Sequence, residues 1–411
     1  MNEAYCDLAI TTRNSVTTAA IHDFAHELVS HGNRAGAIIQ AAEADADSAL
    51  ANAYAAAACL TLMTRQGQDR ATTPLAAAIA QYHSCNSREQ QSIAAITAWH
   101  LGDTAKAARI FRGVVEDWPH DLVAMKLCQI LELSIGDATG MLRTSAMAAA
   151  VAGRSGHALG LHAFALEQAG ENDIAQRLAR RAIDLNPGKD PWAEHVVAHV
   201  FATNEQPVEG RSFLHAHAVG WDRCSSFMYT HNWWHLALFE RELGNLPAAL
   251  ELLRGRVWGV RKGHSQDQIN AIALLARLEI DGMDAPDVWD DIACHVEQRS
   301  ADRLNDFLDL HYLYALAKAG RDGKVRTMLE NFAPQSTVGA LAHGIAAHAK
   351  GEYRLAASQI ALVRHRLASI GGSNVQRQLF DVIFEDSVIR CRDTGTVGRP
   401  AQAPVHYDVA A

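Results

Sequence analysis

Small and apolar residues recur at spacings of three and four along nearly the whole chain, and no stretch alternates with the two-residue period of a strand. That pattern predicts an all-α protein. The polar breaks share one grammar. Residues 98–118 (AWHLGDTAKAARIFRGVVEDW) and 163–186 (AFALEQAGENDIAQRLARRAIDLN) each read as a helix, a glycine at its C-terminus, a short polar turn and a second helix, with Pro119 or Pro187 behind. The same form returns around Gly244, Gly320 and Gly351. The intervals from Gly102 to Gly170, on to Gly244 and on to Gly320 are 68, 74 and 76 residues. Each therefore hides one more helix pair, expected within 122–152, 192–220 and 266–299. Upstream, helices are expected over 17–31, 35–44 and 48–65, with the polar stretch 66–73 as a loop. After Gly372 a helix over 373–392 caps the stack, and 393–411, rich in Gly, Pro and Thr, reads as a flexible tail. The chain so divides into degenerate N-terminal helices (1–87), repeats (88–372), a cap and a tail.

Two segments carry the chemistry. WAEHVVAHVF places His195 and His199 four apart, and HNWWHLALFE does the same for His231 and His235, so each pair shares one helix face. The pairs lie 36 residues apart, close to the roughly 34-residue period of the tetratricopeptide class. They are expected at equivalent positions on neighbouring inner helices of a tetratricopeptide-like solenoid. His157, His311 and His348 follow nearly the same spacing. Two such pairs can offer four nitrogens to one metal ion, but neither motif holds the carboxylate of an HExxH signature, and the spacing assigns no metal. Hydrogen bonding between helices and acid–base use both remain open, with His231 and His235 as the acid–base candidates. Adjacent helical residues point about 100° apart, so only one of Trp233 and Trp234 shares the histidine face. Trp192, three before His195, adds an aromatic wall.

Further on, Asp309 shares a face with Asn305 and Asp306, whereas His311 points away from it; Asp309 is expected to orient an upstream imidazole from another helix. In GGSNVQRQLFD, Ser373 caps a helix whose first turns hold Asn374, Gln376 and Arg377, a ready anion site at a helix N-terminus. Charge narrows the choice of partner. The net charge is −9 and no basic run occurs, which excludes a nucleic-acid surface. The seven cysteines are scattered without a CxxC pair, the first residues lack a secretory signal, and no apolar run reaches membrane-spanning length, so a cytoplasmic protein is expected. GxxxxGK[ST], GxGxxG and GxSxG motifs are absent.

Through AIDLNP, PWAEHVVAHV, HNWWHLALFERELG, DLHYLYAL and GGSNVQRQLF, from about Ala163 to Arg390, the chain resembles the tetratricopeptide repeat protein 38 family. The matching positions are His195, His199, His231, Asn232, Trp234, His235, Asp309, His311, Ser373, Asn374, Gln376 and Arg377; Leu308 departs, standing where the family pattern has Asn. The resemblance implies a repeat fold with an interior polar constellation, and no established reaction or cofactor. Two functions are then expected to compete. One is an interior pocket for a small polar or anionic ligand, with His231, His235 and Asp309 in catalytic roles and His195, His199, Trp234, His311, Asn374 and Arg377 binding. The other is a protein-interaction scaffold with an open groove. A homo-oligomer is compatible with either.

Overall fold

The computed structural model describes residues 8–151, 155–186 and 190–393. The expected tail, apart from Asp393, and Pro187 lie outside these residues. Among them the backbone is helical, with one isolated bridge between Gly32 and Cys224. The N-terminal helices are α1 (Ser15–Val29), α2 (Ile38–Ala44), α3 (Ala49–Leu60) and α4 (Arg65–Ala80). Antiparallel pairs follow: α5 (Ser87–His100) with α6 (Thr104–Asp117), α7 (Leu122–Ser134) with α8 (Ala138–Val151), α9 (Gly156–Gln168) with α10 (Asn172–Leu185), and α11 (Pro191–Thr203) with α12 (Pro207–His217). Next come α13 (Ser226–Glu242) with α14 (Leu246–Leu252), α15 (Ser265–Ile280) with α16 (Pro286–Val296), α17 (Asp306–Lys318) with α18 (Asp322–Glu330), and α19 (Thr337–Ala349) with α20 (Tyr353–Ala361). A final helix, α21 (Asn374–Asp393), packs on α15, α19 and α20. This is an all-α helical-repeat solenoid of tetratricopeptide type.

One turn builds every pair. At Gly170 the backbone takes φ +87°, and the next residue, Glu171, donates its N–H back to the Leu166 carbonyl at 2.9 Å, which satisfies a carbonyl the helix end leaves open. The same bond recurs after Gly102, Gly244, Gly320 and Gly351, and also inside the hidden pairs, after Gly136, Gly282 and Glu205. Glu205 reaches φ +55° without being glycine, so that turn carries no sequence mark. Side chains of Asp103, Asp121, Asp190, Ser225, Asn305 and Ser336 accept from backbone N–H groups at helix starts.

The stretch 66–73 corrects the sequence reading: it is the first half of α4 rather than a loop. Thr64 caps it by accepting from the Gly67 N–H at 3.0 Å, and Gly67, Ala71, Leu75 and Ala78 form a buried stripe. A Cβ at Gly67 would sit 2.4 Å from the Cys59 carbonyl, so the polar-looking glycine is a close helix contact rather than a break.

The superhelix curls back on itself, bringing early helices against ones far along the chain. Arg65 donates from its backbone and its guanidinium to Asp302, both at 3.1 Å, and the Ser265 hydroxyl donates to the Leu62 carbonyl at 2.7 Å. Ser225 N–H reaches the His31 carbonyl at 2.7 Å, and Asn374 N–H reaches Gln168 Oε1 at 3.0 Å. Gly136 lies against the Ala368 carbonyl with no room for a Cβ. The inner face holds a partly open chamber of about 230 Å³. Among the described residues no helix is long and apolar enough to cross a membrane.

Candidate functional site

Helices α11 and α13 are inner helices of successive repeats, and their i, i+4 histidines face each other. His195, His199, His231 and His235 are each between 0% and 2% exposed, and one nitrogen from each lies within 4.8 Å of the others. His195 Nε2 and His231 Nε2 are 3.0 Å apart. Trp234 stacks on His231 with ring centroids 5.2 Å apart and planes 10° apart, while Trp233 turns the other way onto Trp221 and Arg256. Trp192 sits beside His195, its ring centroid 4.8 Å away, and Phe164 from α9 lies over His195 and His199.

Two groups from flanking helices meet the imidazoles from outside, one through a hydrogen bond and one by proximity. Asn270 Oδ1, on α15, is 3.0 Å from His231 Nδ1, which fixes that nitrogen as the donor and turns the Nε2 lone pair inward. Glu167 Oε2, on α9, is 3.1 Å from His199 Nδ1. The carboxylate absent from either histidine motif thus arrives from a different repeat. Burial pushes His231 down to about 3 and His195 and His235 well below the usual imidazole range, and neighbouring imidazoles add to each shift. His195 Nδ1 and both nitrogens of His199 and of His235 are buried without a hydrogen-bond partner, the Glu167 carboxylate lying near His199 Nδ1 but off the line of a hydrogen bond.

The chamber lies on the other side of Trp192. Trp192, Phe227 and Phe307 give it aromatic sides, and Leu28, Ile130 and Leu133 add aliphatic ones. Lys126, from the apolar helix α7, reaches this space with Nζ 3.5 Å above the Trp192 ring. The residue is 2% exposed, and burial pushes its ammonium down to about 7 against the pull of Asp190. Among the described residues Lys126 has no hydrogen bond or ion pair. His31 stacks on the other part of the wall, 4.9 Å from Trp192 and 16° from parallel, with Nε2 unpartnered and φ +56°. Burial, and then the Lys126 charge, lower its pKa well below 6.5. Glu27 also borders the chamber, but its carboxylate is taken by the Arg34 guanidinium at 2.7 Å and the Arg34 N–H at 2.8 Å.

The remaining sequence candidates fall elsewhere. Asp309, in the first turn of α17, has Asp306, Arg303 and Asp302 as its charged neighbours, and burial followed by the Asp306 charge pushes its carboxyl up to about 7. It does not orient the imidazoles; Asn270 bonds His231, and the carboxylate nearest the cluster is Glu167, beside His199. His311 binds the Phe307 carbonyl at 2.7 Å through Nδ1 and packs on Phe380. Arg377 is no free anion anchor, because its guanidinium is bonded to the Gly371 and Gly372 carbonyls and to Asn374 Oδ1, while Asn374 bonds Gln168. His157 lies 3.6 Å from Asp190, and His348 binds Asp386 at 2.8 Å, so the periodic histidines share a register without sharing a site. Lys126, His31, Glu167 and Asn270 had no motif. The signal in hindsight is a lysine inside LVAMKLCQIL, where a helix buried on every side offers it no solvated face.

Helix pairs and their shared turn define a protein of the tetratricopeptide-like helical-repeat class. No protein-family model matches the chain. A cellulose synthase 2 operon protein C of Komagataeibacter xylinus is 38% identical over 112 residues, a match that covers 26% of this chain and 8% of that protein's length. Among solved structures, a Rap protein complexed with competence and sporulation factor matches over 92% of this chain and 100% of its own, with 8% identity and a TM-score of 0.46. Human IFIT1, as a dimer with PPP-AAAA, matches over 95% and 89% with 13% identity and a TM-score of 0.45.

Proposed function

We propose that this protein encloses a small amphipathic anion, its apolar body held between Trp192, Phe227 and Phe307 and its anionic head on Lys126. The observation that carries the reading is a buried ammonium without a partner at the wall of an aromatic chamber. A buried lone charge is costly, and a ligand that supplies the counter-charge removes the cost. His31, with its free Nε2, is a second polar contact for the same head group. His231 and His235 stand behind Trp192 and Phe227, so the chamber reading assigns binding rather than catalysis on the ligand. The scaffold alternative is a protein partner seated on the repeat surface; the unpaired Lys126 ammonium is what favours the small anion over it. The two histidine segments and the GGSNVQR run support kinship with the tetratricopeptide repeat protein 38 family, a kinship that adds no reaction.

Thermal unfolding of the untagged chain with a panel of small carboxylates and phosphates, each beside a neutral isostere, tests this. Binding to the folded state alone raises the midpoint. Anionic members are expected to raise it and neutral ones not, and Lys126→Met is expected to abolish the shift. Equal shifts with neutral isosteres, or a shift that survives Lys126→Met, rule the reading out.

A further inference from the structure

We propose that His195, His199, His231 and His235 form a binding site for one divalent first-row transition ion, buried in the inner layer of the solenoid beside the ligand chamber and independent of it. Imidazole nitrogen suits zinc, copper, nickel and iron, and four such ligands without a thiolate disfavour softer ions, as they disfavour calcium or magnesium, which want oxygen.

Three observations converge. The first is spacing: two ligands 2.0–2.1 Å from a tetrahedral ion lie about 3.3 Å apart. His195 Nε2 and His231 Nε2 are already 3.0 Å apart, and all four ligand atoms fall within 4.8 Å. The widest separation closes by about 1.5 Å, a distance that side-chain rotation spans. The second is the outer set. Metal-binding histidines almost always give their other N–H to a carboxylate or an amide oxygen, which aims the remaining nitrogen at the ion. Asn270 does this to His231, and Glu167 stands 3.1 Å from His199 Nδ1. The third is what a hydrogen-bond network fails to achieve here. If these histidines served only to bind one another, their nitrogens would be paired. Instead His195–His231 is the one imidazole–imidazole hydrogen bond in the group, and five further nitrogens are buried with no hydrogen-bond partner. Unpaired polar atoms at such depth are rare, and a metal ion accounts for His199 Nε2 and one nitrogen of His235 together.

Groups of both kinds of charge stand near the cluster. Glu167 Oε1 has no hydrogen-bond partner, and the Arg277 guanidinium acts on His235. Arg277 lies 5.8 Å from the Trp234 ring, and its guanidinium is bonded to the Ala273 and Val375 carbonyls. Trp192, Trp234 and Phe164 close the sides, so the site is dry, and an ion there would exchange slowly.

The experiment uses the full chain without a histidine tag, stripped with a chelator, checked for helical circular dichroism, and titrated separately with Zn²⁺, Ni²⁺, Cu²⁺ and Co²⁺. Expected are one ion per chain by elemental analysis, a raised unfolding midpoint, and, with Co²⁺, the visible absorption of a four-coordinate nitrogen site. His199→Gln with His235→Gln, which conserves polarity and approximate volume, is expected to lower affinity at least 100-fold. Asn270→Leu, which leaves all four proposed ligands in place and removes only the hydrogen bond behind His231, is expected to lower it 10- to 100-fold. A stripped, folded wild-type chain that takes up none of the four ions overturns the proposal, and so does uptake that is unchanged in the folded double variant. Lys126→Met is expected to leave metal uptake intact, so failure of the chamber reading and failure of the metal site give different results.

Discussion

Lys126 shows how one buried charge ties stability to pH. A lysine titrates near 10.4 in an unfolded chain, whereas burial brings this one down to about 7 while Asp190 draws it back up. Between those values the unfolded chain holds a proton that the folded chain lacks, so stability rises with pH across the window. Below about 7 both states are protonated and the penalty is complete. The groups facing the ammonium are Trp192, His31 and Asp190, with His157 beyond. Two outcomes are expected in urea unfolding at several pH values. Lys126→Met is more stable than wild type by about 1–4 kcal/mol at pH 6, the usual gain when a buried charge gives way to an apolar side chain. The difference between the two proteins then shrinks from pH 7 to 9. Affinity for an anionic ligand should fall about tenfold per pH unit above 7, as the proton that pairs with it is lost. Of these residues, the histidine pairs were legible because spacing fixes a helix face. Lys126 and Asn270 were not, since nothing in a helix buried all round marks which polar residue meets a cavity.

At the level of helices, the repeated turn was legible wherever glycine made it and silent where Glu205 did. Caps behave alike: short polar residues before apolar runs are visible in sequence, but their second duties are not. Asp121 accepts from the Ala124 N–H at 2.9 Å at the start of α7 and pairs with Arg88 at 2.6 Å, both partners buried. Removing one partner of such a pair leaves a stranded charge, so Asp121→Ala should cost about 3–5 kcal/mol in urea unfolding. Asp121→Asn retains the cap, and adding Arg88→Met to it should recover most of the loss. A cost for Asp121→Ala near 1 kcal/mol, the usual worth of a cap alone, would show that the ion pair contributes little. The helix α4 was missed for a related reason. Its polar, glycine-bearing first turns look like a loop until Gly67 is seen against Cys59, a contact that periodicity cannot encode.

Closure of the solenoid belongs to the whole molecule, and it was the least legible feature because its bonds join segments hundreds of residues apart and leave no period. Gly371 is one point where closure is tight: its φ is +84°, and a Cβ there would lie 2.6 Å from the Ser134 carbonyl. Gly371→Ala should loosen the seam, seen as faster hydrogen exchange in α21 and at the end of α7 while helices α9 to α12 keep their protection. Unchanged exchange in α21 would mean the seam tolerates the strain. An open array of repeats unfolds from either end, each repeat answering only to its neighbours; here early helices also answer to helices far along the chain. The Ser265–Leu62 and Arg65–Asp302 bonds span 203 and 237 residues. A ribosome adding roughly 5–20 residues per second leaves Leu62 and Arg65 waiting about 10–45 s for their partners. Through that interval the histidine-bearing interior is a half-built bowl facing solvent, and whatever the finished ring holds inside can arrive before the rim is complete.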